Sequence, residues 1–127
     1  MIVRSKADVE AAGHFVQTEL WSSARYLTQA DGVGFSLNDT RVRAGAEQVL
    51  EYRHHIEACL CIEGEGELEA LEGGARHRLA PGVLYALDRY DRHCVRARTD
   101  LRVICVFSPA LRGDEVHDAA GGYASSG

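Results

Sequence analysis

RHHIEACLCIEGEGE, residues 53–67, alternates side-chain character residue by residue and then breaks at Gly64 and Gly66. A period of two is that of a half-buried β-strand, so Arg53, His55, Glu57, Cys59 and Cys61 share one face. His54, Ile56, Ala58, Leu60 and Ile62 share the other. On the first face a histidine and a carboxylate point toward a protein interior. A buried carboxylate needs a partner, because an unpaired charge is costly to desolvate. A metal ion, a cationic substrate or an ion pair with Arg53 would each supply one.

Moving outward, turn signals recur at short intervals: Ala44-Gly45-Ala46 before this strand, then Glu72-Gly73-Gly74, Ala80-Pro81-Gly82 and Arg89 to Arg92 after it. Between them lie strands at 67–71, 76–79, 83–87, 94–97 and 101–107. Upstream, strands are expected at 2–4, 14–18, 21–27, 35–42 and 48–52. Ser5-Lys6-Ala7-Asp8 reads as a capping box opening a short helix that Gly13 stops. Many short strands divided by glycine turns specify an all-β fold, a closed antiparallel barrel or double-sheet jelly roll, with one or two short helices. Beyond Ala110 the periodicity fades, and about 118–127 reads as a flexible tail.

The chain has 127 residues and a net charge of −5 with both signs interspersed. That length suits a single domain spanning 1–127. The charge pattern argues against nucleic acid and favours a small molecule. The start lacks the regions of a signal peptide, and no apolar run reaches membrane-spanning length, so a cytoplasmic protein is expected. Cys59, Cys61, Cys94 and Cys105 contain no Cys-x-x-Cys pair and read as reduced core residues. Cys59 and Cys61 share a face, but a thiolate metal site usually shows a second pair at matched spacing.

Gly45, Glu51, Arg53, Glu57 and Gly64 match the spacing of the first cupin signature, and Gly82, Asp88 and His93 match the second. The framework resembles a cupin, yet Glu51 and Arg53 stand where the usual metal-binding histidine pair belongs. Glu57 and His93 alone remain of the usual ligand set. The chain as a whole resembles ectoine synthases. The resemblance is carried by MIVR at the start, Trp21-x3-Arg25, GFS-x-N at Gly34 to Asn38, IEGEGE, and Y-x-LD at Tyr85 to Asp88. VFSPAL-x-G-x-EVH at Val106 to His117 and the closing G-x-Y complete it.

That resemblance implies a cupin-type β-barrel, working as a homodimer, that closes N-γ-acetyl-L-2,4-diaminobutyrate into the osmolyte ectoine with loss of water. It implies Glu57, Tyr85 and His93 as metal ligands. Two oxygens and one nitrogen suit Fe(II) first, with Mn(II) and Zn(II) as alternatives. It further implies substrate contacts from Trp21, Arg25, Asn38, Thr40, Cys105, Phe107 and Glu115, with Tyr52, His55 and His117 near the site. Glu115 is the expected proton acceptor, with His55 behind it, and the segment from Glu115 to Tyr123 would close over the substrate. Strand parity agrees in part: Asn38 with Thr40, His55 with Glu57, and Cys105 with Phe107 each share a face.

The sequence departs from the family at Cys59-Leu60, where Val-Tyr is common, at Tyr90, where histidine is frequent, and at Gln48-Val49-Leu50. Parity sends Leu50 and Leu60 away from Glu57. Two other readings remain at this point. A ligand-binding cupin would need no metal, and a cupin oxygenase would consume oxygen.

Overall fold

The structure, a computed structural model, describes residues 1–117 and 121–123. The described chain forms helix α1 (Lys6–Ala11) and strands β1 (Phe15–Gln17), β2 (Trp21–Leu27), β3 (Ser36–Val42), β4 (Glu47–Leu50) and β5 (Ile56–Glu63). These are followed by β6 (Gly66–Ala70), β7 (Arg76–Leu79), β8 (Leu84–Leu87), β9 (His93–Ala97) and β10 (Leu101–Ser108). A single 3-10 turn, Gln29–Asp31, follows β2.

The strands build two antiparallel sheets, one ordered β1-β2-β3-β10-β5-β8 and the other β4-β9-β6-β7. Their inner faces pack on one another through Leu68, Leu79, Val95, Leu101 and Val103. This is the double-sheet, all-β architecture expected from the spacing of the turns. The alternation at β5 holds: Glu57, Cys59 and Cys61 are buried, while Ile56 and Leu60 are exposed. Gly64 and Gly66 are required at its end. A Cβ at either would strike a backbone carbonyl, that of Asp100 or of Arg96, and Gly64 also sits at φ 90°.

The helix starts as its capping box requires. The Asp8 amide donates to the Ser5 hydroxyl at 3.1 Å, and the Ser5 amide donates to the Asp8 carboxylate at 2.8 Å. Such a cap contributes about 1 kcal/mol. The strand expected at 2–4 does not form. Arg4 instead extends along β2, donating to the Tyr26 carbonyl at 2.8 Å and holding Asp31 with both guanidinium nitrogens.

Three residues of the segment expected as a flexible tail are described. Gly121, Gly122 and Tyr123 are buried, and the Glu51 amide donates to the Gly121 carbonyl at 3.1 Å. Gly121 allows that approach, since a Cβ there would meet the Val49 carbonyl. The rest of the expected tail, 118–120 and 124–127, lies outside the described residues.

Candidate metal and substrate site

The register of the six-stranded sheet creates one inward-facing row across five strands. Tyr85 on β8 lies opposite Cys59 on β5, Cys59 opposite Cys105 on β10, Cys105 opposite Asn38 on β3, and Asn38 opposite Arg25 on β2. Directly opposed residues project from the same face, so neighbours in this row touch or nearly touch. The flanking rows hold Glu57 opposite Phe107, and Thr40 opposite both Val103 and Ser23. Distant stretches of sequence thus meet on one surface.

That surface floors an open-mouthed cavity. Trp21, Asn38, Thr40, Tyr52, Glu57, Tyr85, Cys105, Phe107 and His117 of the expected site line it, joined by Cys59, Leu50 and Tyr123. Arg25, His55 and His93 stand in a layer behind. The Arg25 guanidinium lies over the Trp21 ring at 5.7 Å, and His55 packs edge-on against Phe107 with ring centroids 5.9 Å apart. His93 lies 6.1 Å from Tyr52 and 6.4 Å from Tyr85, centroid to centroid.

Among the described residues, three buried side-chain atoms have no hydrogen-bond partner: Arg25 Nη1, Asn38 Oδ1 and His93 Nε2. Leaving such a group unpaired costs about 1–3 kcal/mol, so each points to a missing partner. His93 is the clearest case. Its Nδ1 bonds the Asp91 carbonyl at 2.9 Å, and a carbonyl only accepts, so Nδ1 carries the proton and Nε2 presents a lone pair. Burial lowers the His93 pKa, which keeps the ring neutral, as a ligand must be.

Glu57 is buried, and burial pushes its carboxyl up to about 7, against the opposing effect of hydrogen bonds with the Cys59 and Cys105 thiols. Arg53 does not neutralise it. That side chain points outward and holds Glu51 at 2.7 Å, so the ion pair open to the sequence goes elsewhere. Tyr85 is likewise raised, first by burial and then by the acidic groups around it. A cation placed among Glu57, Tyr85 and His93 would relieve all three, and two oxygens with a neutral imidazole are a sound donor set for Fe(II) or Mn(II).

Glu115, the expected proton acceptor, is engaged with the backbone of its own turn. Its carboxylate takes the Arg112 and Gly113 amides at 2.7 and 2.8 Å, and it is absent from the cavity lining. Burial works against its charge, but these backbone hydrogen bonds and Arg25 hold its pKa below the ordinary value. Glu115 therefore fastens a turn, and its carbonyl anchors Arg25 Nη2 at 2.9 Å. His55 is similarly committed, through Nδ1 to the Pro109 carbonyl at 2.9 Å. His117 does line the cavity, sharing a 2.7 Å hydrogen bond with the Tyr52 hydroxyl.

The sequence missed Ser23, whose hydroxyl contacts Thr40 Oγ1 at 2.9 Å and accepts from Arg25 Nε at 3.0 Å. Its parity with Trp21 and Arg25 was the available signal. Tyr123, expected only as part of a covering tail, stacks on His117 at 4.6 Å and on Tyr52 at 5.0 Å. Leu50, expected to face away, is buried and lines the cavity, because it belongs to the opposite sheet and parity within β5 does not reach it. Tyr90 lies in the exposed β8–β9 loop at φ 56°, away from the cavity.

The model of the ectoine synthase family matches residues 1–127. The L-ectoine synthase of Oceanobacillus iheyensis is 47% identical over 123 residues, covering 97% of this chain and 96% of that protein. The chain belongs to the ectoine synthase family. The L-ectoine synthase of Thermobifida fusca agrees, at 47% identity over 97% of this chain and 92% of its own. In three dimensions the crystal structure of ectoine synthase from P. lautus superposes with a TM-score of 0.84 and 45% identity, over 89% of this chain and 81% of that one. An RmlC-like cupin from Shewanella frigidimarina, at 18% identity and a TM-score of 0.64, shares the fold over 76% of this chain and 83% of its own. Family membership makes the protein a biosynthetic enzyme of the ectoine synthase kind, on a cupin fold. No helix among the described residues is long and apolar enough to cross a membrane.

Proposed function

We propose that this enzyme forms ectoine from N-γ-acetyl-L-2,4-diaminobutyrate in a metal-dependent intramolecular condensation. The observation that carries this reading is the set of three unpartnered buried atoms, a cationic nitrogen, an amide oxygen and an imidazole nitrogen, on residues that line the cavity or pack on its lining. They ask for a carboxylate, an N–H donor and a metal, which is what an acetylated diamino acid and its cofactor would bring.

Glu57, Tyr85 and His93 would hold the metal, with Fe(II) first and Mn(II) or Zn(II) as alternatives. The chemistry such an ion supplies is Lewis-acid polarisation of a carbonyl, which an amide, a poor electrophile, lacks by itself. In the reaction the α-amine of the substrate attacks its own acetamide carbon, and the tetrahedral adduct loses water to leave a cyclic amidine. Arg25 Nη1 takes the substrate carboxylate, and Asn38 Oδ1 accepts from a substrate N–H. The Tyr52–His117 pair lines the cavity and accepts the amine proton, a role supported by its 2.7 Å hydrogen bond there, while the Glu115 carboxylate is held by two backbone amides. Trp21, Phe107 and Tyr123 wall the cavity and fold the flexible substrate toward attack.

Two copies would pair through the outer face of the six-stranded sheet. There Ile104, Leu60 and Leu84 form one outward row and Val106, Ala58 and Ala86 the next. Leu60 and Leu84 are 40% and 62% exposed, an apolar face that water does not favour. Four buried free thiols suit a reducing, cytoplasmic setting. The test is direct: purified enzyme, metal and N-γ-acetyl-L-2,4-diaminobutyrate are incubated and the products separated by chromatography. Ectoine supports the reading; unchanged substrate with metal bound refutes it.

A further inference from the structure

Arg25, Ser23 and Thr40 form a hydrogen-bonded chain in which each proton has a direction. Across the β2–β3 ladder Ser23 lies opposite Thr40, and Arg25 opposite Asn38. Arg25 Nε donates to the Ser23 hydroxyl at 3.0 Å, and Ser23 Oγ lies 2.9 Å from Thr40 Oγ1. Arg25 Nη2 donates to the Glu115 carbonyl at 2.9 Å, and Nη1 has no partner among the described residues. Ser23 and Arg25 are 2% and 1% exposed, so bulk water does not substitute for these contacts.

A guanidinium only donates, so the Ser23 oxygen accepts from Arg25. The proton of the Ser23 hydroxyl then has Thr40 Oγ1 as its acceptor among the described residues, and the Thr40 proton is the one left to give. It faces Cys105, whose thiol the Thr40 hydroxyl bonds. Sulfur is a weak acceptor, so an oxygen in the cavity that Thr40 lines competes well for that proton. The same Ser23 hydroxyl fixes the guanidinium. A rigid planar fork held at Nε and Nη2 does not turn in its plane, and Nη1 keeps one aim.

We propose that Ser23 is a positioning residue for substrate binding: its one hydroxyl aims Arg25 Nη1 and makes Thr40 a donor, so that both offer hydrogens to substrate oxygens. The proposal rests on the reading of Arg25 as the clamp for the substrate carboxylate and adds what orients that clamp. A carboxylate accepts from both groups, whereas an ammonium in the same place meets only donors and is rejected. Asn38 Oδ1, opposite Arg25, supplies an acceptor beside them for a substrate N–H. Removing the Ser23 hydroxyl leaves Arg25 Nε buried without its partner and lets the Thr40 hydroxyl rotate.

The test is steady-state kinetics of the metal-loaded enzyme with N-γ-acetyl-L-2,4-diaminobutyrate, on Ser23→Ala, Ser23→Thr, Arg25→Ala and the Ser23→Ala/Arg25→Ala double variant. Ser23→Ala is expected to raise KM about 3- to 10-fold, the effect of one buried hydrogen bond, with kcat within about twofold of wild type. Ser23→Thr keeps the hydroxyl and is expected to restore KM to within about twofold of wild type. In the Arg25→Ala background, Ser23→Ala is expected to raise KM further by less than about twofold, because its main target is gone. A role in strand packing alone would give the same factor in both backgrounds, and that result overturns the inference. A Ser23→Thr KM as high as that of Ser23→Ala overturns it too. So does a Ser23→Ala KM equal to wild type beside a raised KM in Arg25→Ala, which leaves the Arg25 clamp standing. An unchanged KM in Arg25→Ala overturns the clamp and the inference together.

Discussion

Arg25 and Asn38 face each other across the β2–β3 ladder, and each ends in a buried polar atom that finds no partner among the described residues. One is a donor with a full charge and the other an acceptor; Asn38 lines the cavity, and Arg25 packs on Trp21 of its wall. Such a pair fits a zwitterionic ligand. Arg25→Ala is expected to raise KM by about 10- to 150-fold, the worth of a charged hydrogen bond, and Asn38→Ala by about 2- to 10-fold. Steady-state kinetics with the acetylated diamino acid measure both.

Glu57→Ala and His93→Ala are expected to lose metal and turnover together. Metal content per chain, read by elemental analysis after dialysis, checks this. Full occupancy in Glu57→Ala would refute the ligand assignment, whatever happens to the rate.

The raised carboxyl of Glu57 has a thermodynamic consequence for the metal-free protein. Its folded-state pKa of about 7 exceeds the ordinary 4.5, so between these values the folded form holds more protons than the unfolded one. Stability therefore falls as pH rises through that window, by up to about 3 kcal/mol from this group alone. Thermal melts from pH 4.5 to 7.5 are expected to show a steeper decline in the parent protein than in Glu57→Gln, and saturating metal should flatten the parent's curve.

Glu115 and His117 are separable by pH. Glu115→Gln is expected to lower Tm, since its carboxylate caps two amides, while leaving the shape of the kcat profile unchanged. His117→Asn is expected to remove the limb of that profile that reports the proton acceptor.

The outer apolar rows predict the assembly. Leu60→Glu with Leu84→Glu should convert a dimer to a monomer by light scattering, because each carboxylate would be buried at the contact without a partner. Both side chains point away from the cavity, so metal content should be retained.

Much of this fold is legible in the sequence because a strand's faces follow from a period of two and a turn's position from its glycines. The burial of Glu57, Cys59 and Cys61, and the exposure of Ile56 and Leu60, come from that rule alone. What is not legible is which strands adjoin. Cys59 meets Cys105 across 46 residues of separation, and no local pattern announces it. Leu50 was misread for the same reason, since parity is a property of one strand and Leu50 sits on the other sheet. Residues 2–4 look like a strand but pair with none of the sheet edges, and Arg4 finds Asp31 instead. Glu115 resembles a free acid in a polar stretch. In the fold its oxygens turn onto the backbone amides of Arg112 and Gly113, a contact that no spacing announces.

The most direct measurement is an anaerobic assay of metal-stripped enzyme with N-γ-acetyl-L-2,4-diaminobutyrate, with and without added Fe(II), product being followed by chromatography. The account predicts ectoine only when metal is restored. Equal ectoine formation by stripped and loaded enzyme would contradict metal dependence, and no ectoine from enzyme with Fe(II) bound would contradict the assigned reaction.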